Sequence, residues 1–145
     1  MHKLPITGTA IHALIPQRMP MVMVDCLRAY TADTVDTGLV LLAGNIFLQH
    51  GVLQEAGLLE HMAQSVALHT GYSFFIRKEQ APTGYIGAIQ QAELFRLPLI
   101  GEEIQTHVRI IQEFMGVTLV HIESRVADEC IATAQMKTVI AAANI

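Results

Sequence analysis

The sequence predicts an α+β fold in which a curved antiparallel sheet wraps around one long central helix. Three observations support this: a strongly helical stretch in the middle, two strand-like runs before it, and four strand-like runs after it with no helix between them. Consecutive strands joined by short turns pair in antiparallel fashion. Because an apolar helix in a short chain must be covered, the simplest arrangement curls the sheet around it.

The central helix is predicted over residues 54–71, QEAGLLEHMAQSVALHTG. Apolar side chains recur there at three- and four-residue steps and form a broad stripe. The members of this stripe are Leu58, Leu59, Met62, Ala63, Val66, Ala67 and Thr70. Glu60 is a single carboxylate lying away from most of the stripe, and His61 follows it. Gly71 is predicted to end the helix.

The sheet is predicted from runs of apolar and alternating residues. These runs cover residues 21–27 and 34–42 before the helix, and 85–95, 103–113, 117–127 and 130–141 after it. In the run 103–113, Ile104, Thr106 and Val108 alternate with polar residues, which is the period of a half-exposed strand. Met115-Gly116 and Asp128-Glu129 are the predicted tight connections.

Composition narrows the functional classes. The 145 residues suit a single domain over positions 1–145, and 52% hydrophobic with 15% charged residues argues against disorder. A mean hydropathy of +0.41 indicates an apolar surface that another subunit covers. A net charge of −4 without a basic run argues against nucleic acid. No apolar run reaches the roughly 20 residues of a membrane helix, and the N-terminus lacks a secretory pattern, so we expect a cytoplasmic protein.

Metal and cofactor sites are not expected. Cys26 and Cys130 are too few and too scattered for a disulfide framework or a metal knuckle. The HExxH zinc motif, the phosphate loop and the dinucleotide fingerprint are absent from the sequence.

Four short motifs, taken in order, resemble the beta-hydroxyacyl-acyl carrier protein dehydratases, which have the hot-dog fold. The matching segments are IPQRMPMVMVDCL at 15–27, EHMAQ at 60–64, YIG at 85–87, and FRLP at 95–98 followed by Gly101-Glu102. The likeness is nearest to the divergent dehydratase-like proteins of aryl-polyene-type pigment pathways, where Glu-x-Met-Ala-Gln recurs on the same helix. The resemblance covers nearly the whole chain and implies the hot-dog fold.

The resemblance also implies a reaction. Such an enzyme would eliminate water from a beta-hydroxyacyl thioester on acyl carrier protein or CoA, in fatty-acid or polyene-type biosynthesis. Helix N-terminal N–H groups can polarise the thioester carbonyl, and a histidine with a carboxylate can move the protons. In the family the carboxylate lies on the central helix and the histidine comes from the other subunit, so dimerisation completes each site.

Carried over residue by residue, Glu60 matches the family's catalytic carboxylate, and Gln64, one turn later, is a candidate substrate-binding residue. The family's histidine would fall at Ile46, and its Gly-His-Phe-Pro context is missing. His50 is the histidine in the loop before the helix, and is therefore the candidate acid/base. Gly51-Val52 are the candidate donors to the substrate carbonyl.

Three functions stay open at this point. The first is a dehydratase, the second is a non-catalytic acyl-binding subunit of a dehydratase complex, and the third is an acyl thioesterase. The oligomer is expected to be a homodimer or larger, or a hetero-oligomer with a related dehydratase. His61, turned about 100° from Glu60, is expected at a subunit interface.

Overall fold

The helix and the sheet have the predicted relationship. The computed structural model describes residues 3–140. Its elements are β1 (Ile6–Thr7), a 3-10 helix (Gly8–Ala13), β2 (Cys26–Tyr30), β3 (Thr34–Val40), β4 (Leu48–Gln49), β5 (Val52–Leu53), α1 (Glu55–Ile76), β6 (Gly84–Leu94), β7 (Glu103–Phe114), β8 (Val117–Val126) and β9 (Glu129–Ile140). α1 lies against one face of the sheet and contacts β3, β6, β7 and β8.

The main sheet has seven strands in the order β1-β2-β3-β7-β8-β9-β6. Every pairing in it is antiparallel. β4 and β5 form a separate hairpin immediately before α1. β6 pairs only with β9, so the other edge of this 11-residue strand is free within the described chain. The hot-dog fold predicted from the sequence is confirmed.

The core lies between α1 and the inner face of the sheet. Leu58, Met62 and Leu68 of the helix are fully buried. They belong to one cluster with inward-facing side chains of β7 and β8, such as Ile104 and Ile122. The alternate residues of these strands face outward and are largely polar, because successive side chains of a strand point to opposite faces.

The predicted end of the helix at Gly71 is wrong. α1 continues to Ile76, and Lys78, with a φ of 57°, closes it through the Glu79 N–H to Phe74 carbonyl bond of 3.0 Å. Gly71 instead allows a close approach of backbone. A Cβ built there would lie 1.8 Å from the carbonyl oxygen of Leu14.

The predicted strand at residues 21–27 is also mostly wrong, because β2 begins only at Cys26. The backbone of residues 21–23 bonds to helix side chains instead of a neighbouring strand. Met115-Gly116 does connect β7 to β8, whereas the next turn is Ala127-Asp128, one residue earlier than predicted. Residue 141, predicted as a strand end, lies outside the described residues.

No helix within residues 3–140 combines the length and the apolar character needed to cross a bilayer.

We predict that Gly71→Ala destabilises the protein by at least about 2 kcal/mol, because the new methyl group would overlap the Leu14 backbone, which cannot move independently. Urea unfolding followed by circular dichroism measures the change. Gly44→Ala is the matched control, since a Cβ there meets nothing within 4 Å. Equal stabilities of the two variants would contradict this role of Gly71.

Candidate active site

Glu60 lies on the side of α1 that the sheet covers least. The half-buried side chains of this part of the helix are Leu59, Glu60, Ala63, Ala67 and Thr70. At 100° per residue these positions fall within a single stripe about 100° wide, which we call the open stripe. All its members except Glu60 and Thr70 are apolar. Glu60 is therefore a carboxylate at the margin of an incompletely covered apolar surface.

Gln64 holds Glu60 in place. Its Nε2 donates to Glu60 Oε2 at 2.8 Å and to the Met21 carbonyl at 2.7 Å, while its Oε1 accepts from the Met23 N–H at 2.7 Å. The side chain is buried, and both amide hydrogens are used within the chain. Direct substrate binding by Gln64 stays a prediction. The role visible in the structure is to orient Glu60.

His61 is completely buried between α1 and the sheet, so the expectation that it lies at an interface is wrong. Its Nδ1 lies 2.7 Å from the Met23 carbonyl oxygen and its Nε2 lies 2.7 Å from Thr106 Oγ1. Because a carbonyl can only accept, Nδ1 carries the hydrogen and the threonine hydroxyl donates to Nε2. Burial lowers the pKa of His61 to about 4, so the ring is neutral.

Two further hydroxyl pairs complete the polar contacts beneath the helix. Thr106 Oγ1 lies 2.6 Å from Ser124 Oγ on the neighbouring strand. Ser65 Oγ donates to the His61 carbonyl at 2.8 Å, and Thr37 Oγ1 lies 2.7 Å from Ser65 Oγ. The sequence carried a signal for this cluster. Thr106 and Ser124 occupy inward-facing positions of their strands, where apolar side chains are the rule.

His50 and Gly51 form the two-residue turn between β4 and β5. Their φ values of 53° and 76° are typical of a type I′ hairpin. The His50 side chain is exposed and makes no hydrogen bond to Glu60 or to any other residue in 3–140. The Gly51 carbonyl accepts from the Ile100 N–H at 2.8 Å, and Val52 bridges to Leu99. The functional roles predicted for His50, Gly51 and Val52 stay predictions.

The first turn of α1 offers N–H donors at two residues that the sequence did not single out. Gln54 makes no side-chain cap, while the N–H groups of Gly57 and Leu58 bond to its carbonyl. Within the described chain, the N–H groups of Glu55 and Ala56 have no partner. Unpaired donors at a helix N-terminus attract a developing negative charge on a ligand oxygen.

The outer face of the sheet carries a shallow open depression that is separate from Glu60. Two ion pairs line it, Arg28 with Glu103 at 2.7 Å and Arg125 with Glu123, and His107 Nδ1 lies 2.6 Å from Asp36 Oδ1. Within residues 3–140, no group of three or more His, Cys, Asp or Glu side chains could hold a metal ion.

Residues 9–144 match the model of the ApeP-like family, described as ApeP dehydratase. The chain belongs to the ApeP-like family. The family resemblance read from the motifs is thereby confirmed. Among curated proteins, none matches this sequence.

Solved structures share the fold. The dehydratase heterocomplex ApeI:P from Xenorhabdus doucetiae has 16% identity, covering 97% of this chain and 93% of that chain with a TM-score of 0.85. Uncharacterised protein PH1136 from Pyrococcus horikoshii has 9% identity, covering 98% of both chains with a TM-score of 0.70. The E. coli PaaI protein of the phenylacetic acid degradation operon has 10% identity, covering 78% and 80% with a TM-score of 0.63. At these identities the likeness shows the hot-dog fold alone.

The buried His61 predicts a specific dependence of stability on pH. Above pH 6.5 both the folded and the unfolded chain carry this ring neutral, so its contribution is constant. Between pH 6.5 and 4 the unfolded chain takes up the proton and the folded chain does not, so stability falls. The expected loss is about 3 kcal/mol.

Urea unfolding at stepped pH values measures this loss, and His61→Asn should remove the part of the slope that belongs to the ring. Nitrogen NMR of the histidine rings should show the neutral Nδ1–H form of His61 at pH 6. A charged His61 at pH 6 would overturn the assignment.

Proposed function

We propose that this chain is a dehydratase-type hot-dog protein that supplies Glu60 to the elimination of water from a 3-hydroxyacyl thioester. The observation that carries the proposal is the Glu60 carboxylate at the edge of the open stripe, oriented by Gln64 at 2.8 Å. Membership of the ApeP-like dehydratase family supports this class of reaction. The acyl chain would lie along the apolar members of the open stripe, such as Leu59 and Ala63.

The chemistry requires two proton movements. A base removes the proton from the carbon next to the thioester carbonyl, and the electrons of that C–H bond form the new carbon–carbon double bond. The C–O bond to the beta hydroxyl breaks, and a proton from an acid lets this group leave as water. The unpaired N–H groups at the start of α1 would stabilise the negative charge that develops on the carbonyl oxygen.

Glu60 can serve one of these proton movements, and a second group must serve the other. Within the described chain, His50 makes no hydrogen bond to Glu60. His61 is buried, and both of its ring nitrogens bond to Met23 and Thr106. We therefore propose that a histidine of a second subunit meets Glu60, either His50 of another copy or a histidine of a related dehydratase. The ApeI:P structure, which shares this fold, is described as a dehydratase heterocomplex, and this supports the possibility of a hetero-oligomer.

Strand β6 of this chain offers a surface on which a second subunit could pack. This strand has a free edge, and Ile86 and Ile89 on its inner face are both 43% exposed. Ile89 pairs with the buried Met136, which fixes its side chain to the inner face. An exposed apolar face beside an unpaired strand edge is a surface that natural proteins cover.

The remaining parts of the proposal come from the resemblance and the composition. The thioester would be carried by acyl carrier protein or CoA, in fatty-acid or polyene-type biosynthesis. The protein would be a single domain over residues 1–145 in the cytoplasm, and would need no cofactor.

We predict that Glu60→Gln lowers the rate of dehydration at least about 100-fold, because the amide cannot accept or deliver the proton. The assay follows the enoyl product by mass spectrometry from 3-hydroxyacyl carrier protein, with this chain alone and with a related dehydratase subunit. Glu113→Gln is the matched control, an exposed glutamate of β7 whose side chain makes no hydrogen bond or ion pair within residues 3–140. Absence of enoyl product from the unaltered protein in both arms would contradict the proposal.

A second candidate, the non-catalytic acyl-binding subunit, is favoured by the exposed position of His50. In that case Glu60→Gln would leave the activity of the complex unchanged while changes in the open stripe would weaken acyl binding. Release of free acid instead of enoyl product in the same assay would indicate the thioesterase.

We predict that Ile89→Lys weakens subunit association at least about tenfold, because a charge would replace an apolar contact. Sedimentation of the chain alone and with the related subunit measures it. Gln90→Lys is the matched control, since Gln90 pairs with Gln135 on the outer face of the same strand. If both variants associate like the unaltered chain, β6 is not the interface.

A further inference from the structure

The peptide groups of Met23 lie where three parts of the site meet. Residues 21–24 have no strand partner, yet Met23 is 1% exposed. Its N–H donates to Gln64 and its carbonyl accepts from His61, each at 2.7 Å. Its sulfur accepts from Asn45 Nδ2, in the loop before the β4–β5 hairpin, at 3.3 Å. One residue therefore ties this segment to the helix and to that loop.

His61 is the member of this arrangement that reaches the sheet. Thr106 of β7 donates to Nε2, and Ser124 of β8 lies 2.6 Å from the Thr106 hydroxyl. The Nδ1–H group then donates a hydrogen bond to the Met23 carbonyl oxygen. The ring thereby links the 21–23 segment to strands β7 and β8, and so fixes the position of this segment relative to the helix and the sheet.

The chain of bonds continues from Met23 to Glu60. The Met23 N–H holds Gln64 Oε1, which sets the plane of the amide, and the amide nitrogen holds both the Met21 carbonyl and the Glu60 carboxylate. If the backbone of residues 21–23 moved, Gln64 would lose the Met21 carbonyl acceptor and the Met23 N–H donor that define its orientation. Glu60 would then lose its orienting hydrogen bond.

We infer that His61 is a positioning residue for Glu60, acting through the backbone of Met23 and through Gln64. It touches neither the open stripe nor any position that substrate could reach, since it is fully buried. This inference rests on the proposed function for its catalytic consequence, but its structural part can be measured without any substrate.

Two substitutions separate the two nitrogens of the ring. His61→Asn can place an amide hydrogen where Nδ1–H stands and so keep the bond to Met23 while losing Thr106. His61→Gln can place an oxygen where Nε2 stands and so keep the acceptor for Thr106 while losing Met23. Both variants are neutral, and Asn leaves a larger cavity than Gln, so a role of the ring volume alone would affect His61→Asn more, which is the opposite of the order expected from the bond to Met23.

The test is amide hydrogen exchange of the full-length protein, with the Met23 N–H as reporter and the Ile122 N–H of β8 as internal reference. Because a hydrogen bond is worth about 1 kcal/mol, we expect about fivefold faster exchange at Met23 in His61→Gln and about twofold or less in His61→Asn. The Ile122 rate reports overall unfolding, and the Met23 rates are compared after each is divided by it. Equal exchange at Met23 in both variants would overturn the inference.

Kinetics supply the second arm. We expect His61→Gln to lower kcat about tenfold with little change in KM, and His61→Asn to restore most of kcat. Both variants losing kcat equally, in proportion to their lost stability, would also overturn the positioning role. If the exchange pattern appears but no variant and no unaltered complex forms enoyl product, the proposed function fails while the structural part of the inference stands.

Discussion

The constraint on which this structure depends is the burial of a helix that has polar side chains on its covered side. Most of α1 is enclosed, and a helix of this kind must pair every polar group that it carries into the core. His61, Gln64 and Ser65 are all buried, and each has at least one hydrogen-bond partner outside α1. These hydrogen bonds fix the rotation of the helix about its axis and its position along that axis relative to the sheet. The apolar contacts around them contribute more free energy, but they do not select one orientation so sharply.

The same polar groups explain which parts of the fold could be predicted from the sequence. The helix and the four later strands were predictable, because local periodicity reports which side is buried. The run at 21–24 was not, since its apolar character fits a strand equally well. Its conformation depends on hydrogen bonds to His61 and Gln64. His61 lies 38 residues after Met23, and Gln64 lies 41 residues after Met23 and 43 residues after Met21. No local pattern carries that information.

Gly71 and the candidate site show the same limit in two other forms. A glycine near the end of a helical pattern usually marks the C-terminus, but here the contact with the Leu14 carbonyl requires it. At the site, the motif located Glu60 and Gln64 correctly on one face, because a spacing of four residues fixes that relation. The motif could not show that both amide hydrogens of Gln64 bond to acceptors within the chain. Nor could it place His50, whose position depends on a hairpin of only two residues per strand.

The position of Glu60 follows from where the covering of the helix is incomplete. A carboxylate under the sheet would be desolvated and would need a cationic partner, whereas one on a fully open surface would be surrounded by water and would be a poor base. At the margin of the open stripe, Glu60 accepts one hydrogen bond from the neutral Gln64 amide and has apolar helix positions beside it. The same incomplete covering leaves apolar surface on α1 and on Ile86 and Ile89 of β6. A second subunit that covers this surface would at once exclude water from the carboxylate and bring a second proton-transfer group towards it. Assembly and catalysis would then depend on the same uncovered stripe.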